Sequence, residues 1–253
     1  MLLIVTNVIF LVKMVTKPDI LAQLQKEILD MQGLRVPLES ERRDTGLGII
    51  NQAFPNQTFP VSAVHEFLSH SKDEAAATTG FISGLLGTLM CKGSCLWISR
   101  QRTVFPVALK AFGVRPDQVI FVQATNTKDA LWIIEEGLKC GSLAAVISEI
   151  PELTFTESRR LQLAVEKSHV TGFIHRNVKG PAGNVACVSR WSIRPLPSME
   201  TGIPGVGIPA WNVELSKIRN GKPGQWQVYW TETGFEIATK KAPALPIAIK
   251  KVS

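Results

Sequence analysis

Four cysteines and four histidines are the first places to look for chemistry in this 253-residue chain. The cysteines are Cys91, Cys95, Cys140 and Cys187. None forms C-x-x-C, and no histidine stands at ligand spacing beside a cysteine pair, which argues against a zinc site. Cys140 and Cys187 sit in apolar stretches and read as small core residues. His65 and His70 flank a strand end and read as surface-loop residues rather than a metal pair. No Ser/His/Asp or Cys/His set has the context that nucleophilic catalysis needs. A nucleotide site belongs at a strand-to-helix turn, and here that turn reads Leu68-Ser-His-Ser-Lys-Asp-Glu-Ala-Ala-Ala-Thr-Thr-Gly80. A phosphate-binding loop requires G-x-x-x-x-G-K-[ST], so that backbone N–H groups wrap the phosphates, lysine reaches them and the hydroxyl holds magnesium. That motif is missing. Asp73 and Glu74 would repel phosphate, and the chain's one Gly-Lys pair, Gly221-Lys222, is followed by proline. Glu149 ends a later apolar run, where a carboxylate can hold magnesium; without a phosphate loop it reads as an ordinary loop carboxylate. The expectation is no catalytic residue, no cofactor and no metal.

The elements that carry these residues alternate. Strand patterns run over 63–67, 95–99, 118–122, 143–148 and 170–175. Helical patterns run over 74–90, 106–112, from a Thr127 cap to Gly141, and from Thr154, whose Thr-Phe-Thr-Glu157 is a capping box. Gly80, Gly84 and Gly87 lie close together on the first of these helices and allow close approach to a sheet. Strands alternating with helices imply βαβ units and a mostly parallel sheet. After residue 184 the helices stop. Residues 184–194 read as a long strand, 195–209 as a Pro/Gly-rich linker, and 211–218 with 225–230 as a hairpin turned at Asn220-Gly221. Ahead of the body, Thr16 caps a helix over 16–33, joined by a polar linker over 39–57. Three regions follow: 1–57, an N-terminal helix and linker; 58–235, the α/β core with its hairpin; and 236–253, a basic tail. The apolar stretch 1–12 is too short to cross a bilayer and has no basic leader or cleavage site, so no membrane role is expected. Met14 is the expected native start, with a short first strand as the alternative.

Charge is unevenly placed. Residues 1–158 hold 14 Lys+Arg against 16 Asp+Glu, whereas 159–253 hold 14 against 5. A basic second half suits nucleic acid or an acidic protein. The candidate contacts to a partner or DNA are Arg159, Arg160, His175, Arg176, Lys179, Arg190, Arg194, Lys217, Arg219 and Lys222. Trp226 or Trp230 could stack on a base or a partner; hairpin packing is the plainer reading.

Several phrases, in order, resemble a known family: His65-Glu-Phe, Leu96-Trp-Ile-Ser, Phe105-Pro, Asp129-Ala-Leu-Trp132, Ser158-Arg-Arg-Leu-Gln-Leu-Ala164, Val170-Thr-Gly-Phe173, Ser189-Arg-Trp191 and Trp211-Asn-Val-Glu-Leu215. Over residues 16–235 the chain is similar to the ImuA family, a relative of the SulA cell-division inhibitors, on a RecA-like core. The resemblance implies a RecA-like, mostly parallel sheet flanked by helices, with an N-terminal helical arm and a C-terminal antiparallel hairpin. It also implies a cytoplasmic, non-catalytic accessory factor in damage-induced translesion synthesis and error-prone DNA repair. Its partners would be RecA or a Y-family-like polymerase protein, with DNA contact through the basic C-terminal region. The alternative is a SulA-like inhibitor that binds the tubulin-like division protein. The chain departs from an active recombinase in lacking the phosphate loop and in its short segments 150–155 and 176–183, where long DNA-binding loops would stand.

Overall fold

The computed structural model describes residues 44–90, 93–200 and 205–238, together with Ile20, Gln23 and Leu24. The expected 16–33 helix and the basic tail lie largely outside these residues; Ile20, Gln23 and Leu24 are helical. In chain order the elements are β1 (Val64–Ser69), α1 (Lys72–Leu89), β2 (Ser94–Ser99), β3 (Val119–Gln123), α2 (Thr127–Lys139), β4 (Leu143–Glu149), α3 (Phe155–Ser168), β5 (Thr171–Asn177), β6 (Ser189–Met199), β7 (Ile208–Ile218), β8 (Gly224–Thr231) and β9 (Gly234–Ile237). They form one nine-stranded sheet in the order β3-β2-β4-β5-β1-β6-β7-β8-β9. Pairing is parallel from β3 through to β6 and antiparallel from β6 to β9. The α/β fold with its antiparallel C-terminal part is the one expected. The parallel part extends one strand further, because β6 pairs with β1 before it turns to β7.

Every residue of β1 is buried, as both faces of a central parallel strand must be covered. On one face Phe67, Trp97, Phe173 and Trp191 share a core cluster with Phe81 of α1; on the other Val64, Ile98, Val146 and Ile174 share one with Ile134 of α2 and Leu161 of α3. The glycines of α1 make the first layer thin. A Cβ on Gly80 would stand 3.0 Å from the Trp211 ring, one on Gly84 2.6 Å from Phe235, and one on Gly87 2.2 Å from the Phe112 carbonyl oxygen. Two of the three therefore admit the antiparallel strands, and the third admits the short 3-10 helix Pro106–Phe112.

Several expected boundaries move. Asn126, not Thr127, caps α2 by accepting from the Asp129 N–H at 2.9 Å. The Thr154 capping box stands as expected. The strand placed over 184–194 begins at Ser189 and runs through Pro195 and Pro197 to Met199. Prolines are tolerated there because β1 accompanies β6 only as far as Ser192, and the ladder to β7 shifts register between Leu196 and Met199. The polar linker is also more ordered than its composition suggests. Gly48–Ala53 and Pro55–Gln57 are 3-10 helices, and Leu47, Ile50, Phe54 and Phe59 are buried in the α1-side core.

Candidate functional site

The strand-to-helix turn that a nucleotide would use contains only His70 and Ser71 between β1 and α1. The Ser71 hydroxyl accepts from the Glu74 N–H at 3.1 Å, and the Glu74 carboxylate accepts from the His70 N–H at 2.7 Å. Two backbone donors of the turn thus serve its own side chains, and Asp73 and Glu74 place negative charge on the first helical turn. Just beneath, Ser69 Oγ lies 2.9 Å from Thr78 Oγ1 and 2.9 Å from His175 Nε2. All three are buried, so this polar contact ties β1, α1 and β5 together under the turn.

His65, expected on the surface, is fully buried within β1. Its Nε2 lies 2.8 Å from the Pro60 carbonyl, which can only accept, so the proton sits on Nε2. Its Nδ1 then accepts from the Ser189 hydroxyl at 2.6 Å, and that oxygen accepts the Trp191 indole N–H at 2.7 Å. Burial pushes His65 down to about 4, partly opposed by the Pro60 carbonyl, and pushes His175 to about 4 as well. Both are neutral in the folded chain at pH 7. Once the pH falls below about 6.5, the unfolded chain takes up protons that the folded chain refuses until about 4. Folding stability is therefore full above 6.5 and declines between 6.5 and 4. The loss is about 3 kcal/mol per histidine at most, large against a typical total of about 5–15 kcal/mol. Glu149 acts oppositely: burial raises it, against hydrogen bonds from Trp97 and Thr103, so its penalty eases as pH falls. Urea midpoints should hold level from pH 7.5 to about 6.5 and fall from there to 4.5. The slope, rather than the midpoint, should flatten in His65→Gln and in His175→Gln.

On the opposite face of β1 a single buried carboxylate holds two arginines. Glu66 Oε1 accepts from Arg176 Nη1 at 2.6 Å and Oε2 accepts from Arg190 Nε at 2.6 Å. Glu66 and Arg190 are register partners on adjacent strands, and Arg176 lies diagonally across on β5. Glu66 is 0% exposed, so this triad lies inside the protein rather than on a rim.

A cleft of about 590 Å³ opens over the carboxyl ends of β2, β3, β4 and β5, the usual ligand position in open α/β sheets. Arg100, Thr103, Gln123, Thr125, Glu149 and Asn177 are among its lining residues. Glu149 is no plain loop carboxylate: it ends β4 and accepts from Trp97 Nε1 at 2.9 Å and from Thr103 Oγ1 at 3.1 Å. Its oxygens face donors already in place. Among the described residues no cluster of three or more His, Cys, Asp or Glu is arranged to hold a metal.

The ten candidate contacts scatter. His175 and Arg176 are buried, and Arg190 joins the Glu66 triad. Arg160 pairs with Glu135 across α2 and α3, and Arg194 pairs with Glu214 at 2.5 Å. Lys217 and Arg219 donate to the Val185 and Ala186 carbonyls at 2.9 and 3.2 Å. Arg159 and Lys179 are exposed, as is Lys222 in the β7–β8 turn. Sequence reasoning missed the Glu66 triad, whose only signal was an acidic residue inside an apolar strand pattern. It also misplaced Cys140, which is exposed, whereas Cys187 is buried as expected.

Comparison with known proteins adds to this geometry. No family model matches. The chain is 32% identical over 202 residues to Protein ImuA of Caulobacter vibrioides (strain NA1000 / CB15N), covering 73% of this chain and 82% of that protein. Cell division inhibitor SulA of Yersinia pestis (strain Pestoides F) is 28% identical over 81 residues, covering 32% of this chain and 48% of that protein. A match of this identity along four-fifths of the Caulobacter protein, together with an α/β sheet of the expected kind, places the chain in the ImuA family.

Proposed function

We propose that this chain is an accessory factor in damage-induced, error-prone DNA synthesis that works by binding protein partners and not by turning over nucleotide. The observation that carries the second half is the β1–α1 turn, where Ser71 and Glu74 occupy the donors that phosphate oxygens would need. With Asp73 beside them the turn presents negative charge to a triphosphate, and Lys72 alone does not offset it. The first half rests on kinship with ImuA. RecA and a Y-family-like polymerase protein are the partners we infer, in the cytoplasm. Arg159, Lys179 and Lys222 are the exposed members of the candidate contact set whose side chains make neither an ion pair nor a hydrogen bond among the described residues. Among the described residues no helix is long and apolar enough to cross a membrane.

The purified protein is expected to show no ATP hydrolysis above background, and Lys72→Ala should change nothing. A turnover that disappears in Lys72→Ala would overturn the reading. Partner binding is tested by co-purification from DNA-damaged cells with RecA and the polymerase protein as named targets; recovery of neither counts against it. The 81-residue similarity to SulA favours a second reading, inhibition of division through the tubulin-like protein. Filamentous cells on overexpression, in a strain lacking the damage response, would favour that reading.

A further inference from the structure

Among the described residues one edge of the nine-stranded sheet is β3, which pairs there only with β2. In a parallel ladder, alternate residues of a strand bond to a given neighbour and the others point away. The Ala124 N–H donates to the Ser99 carbonyl at 3.0 Å, which sets Val122 and Ile120 toward β2 as well. The N–H and C=O groups of Phe121 and Gln123 and the C=O of Val119 therefore face outward, with no strand beside them among the described residues, while the Val119 N–H donates to the Pro116 carbonyl. Edges like this are usually blunted by lysine, proline or a bulge. Val119-Ile-Phe-Val-Gln123 contains none of these, and its register with β2 is unbroken.

The two faces of this edge differ. Ile120, 50% exposed, and Val122 lie on the α2 side, where Val122 packs against the core. Phe121 lies on the other side against Trp97, and the Arg102 guanidinium sits 5.3 Å from its ring centroid. Between residues 100 and 123 the exposed charges are Arg100, Arg102, Lys110 and Arg115 against Asp117 alone, and Asp117 is already paired with Arg115. Arg100 and Arg102 make no ion pair among the described residues.

We propose that β3 accepts an extended segment of an acidic protein partner as a tenth strand, apolar side chains lying beside Ile120 and Val122 and carboxylates facing Arg102. The backbone supplies the affinity and the two unlike faces supply the register, as in other strand-addition interfaces. The chain's own apolar stretch 1–12 is a poorer occupant, because Lys13 and Lys17 flank it and no acidic residue precedes Asp19. This inference deepens the partner-binding reading and rests on it, but it is tested apart from nucleotide turnover and from partner identity.

The probe is a ten-residue capped peptide alternating valine and glutamate, with its valine–lysine counterpart and a single-stranded oligonucleotide as comparisons. Hydrogen exchange on the full chain should show the Phe121 and Gln123 amides slowed by the acidic peptide only. Arg102→Glu, an exposed change that leaves the core alone, should weaken binding at least tenfold, and Ile120→Lys should do the same. Four results would overturn the proposal: no binding of the acidic peptide, binding without protection at those two amides, equal protection by the lysine peptide, or protection by the oligonucleotide. It also fails if the amides are protected in the free chain, in a way lost on removing residues 1–13 (the chain's own segment) or on dilution (a second copy).

Discussion

Glu66→Ala is expected to lower the free energy of unfolding by about 3–5 kcal/mol, enough to leave much of the protein unfolded at 37 °C. The substitution leaves Arg176, buried, and Arg190, half-buried, without the carboxylate that each contacts at 2.6 Å. Two guanidinium charges then face a low-dielectric interior with no counter-charge, and Arg176 Nε already lacks a hydrogen-bond partner among the described residues. Removing the whole triad is a different matter, because replacing a buried ionic cluster with apolar groups of similar volume is often neutral. Glu66→Leu combined with Arg176→Met and Arg190→Leu should therefore recover most of the loss. Chemical denaturation of the single and triple variants measures both. If the single variant costs under about 1 kcal/mol, the triad contributes no more than a surface pair does.

The second large effect is expected on α1. Glycine to alanine in an exposed helix interior gains about 1 kcal/mol, so Gly84→Ala and Gly87→Ala would both stabilise if propensity decided the outcome. Packing opposes this. At Gly84 the added carbon meets the Phe235 and Trp230 rings at 2.6 and 2.8 Å, and at Gly87 it meets a backbone oxygen at 2.2 Å. Rings at the sheet margin can turn aside, but the Phe112 carbonyl moves only with its helix. Overpacking costs of about 1–3 kcal/mol are typical. Gly87→Ala is thus expected to be clearly destabilising and Gly84→Ala less so. Gly84→Ala should also shift Trp230 emission, since Trp230 donates its indole N–H to the Ala111 carbonyl in the same contact. A gain in melting temperature for Gly87→Ala would show that the 106–112 segment gives way freely.

Much of this architecture can be read from the residues alone. Alternating apolar strands and capped helices point to the parallel sheet, and Asn220-Gly221 with tryptophans on alternate positions points to the hairpin. Thr154 and Glu157 mark a helix start that the structure keeps. What escapes is what depends on long-range partners. β9 is four residues long and owes its existence to β8 and to the packing of Phe235 on Phe81 and Trp230. The 47–59 segment mixes polar and apolar residues without a helical or strand period, yet its apolar residues fall where the core needs a lid. The basic candidates illustrate the same limit. Sequence separation gave their sign but not their company, so Arg176 and Arg190 read as a rim when they are one carboxylate's two neighbours inside the protein.

The stretch between β5 and β6 has no regular secondary structure, yet it is stitched down at both ends. Val178 and Val188 donate to the carbonyls of Ser69 and Val64, Ala186 donates to the Ser158 hydroxyl, and Lys217 and Arg219 hold the Val185 and Ala186 carbonyls from β7 and the residue just past its end. Irregular backbone usually invites proteases and tolerates inserted sequence. Here residues 185–188 are buried, so a nick or an insertion would first have to prise two strands apart. Swinging-arm behaviour of residues 185–188 would therefore cost nearly as much as opening the sheet, which leaves the mostly exposed 179–184 stretch as the part of this seam free to yield.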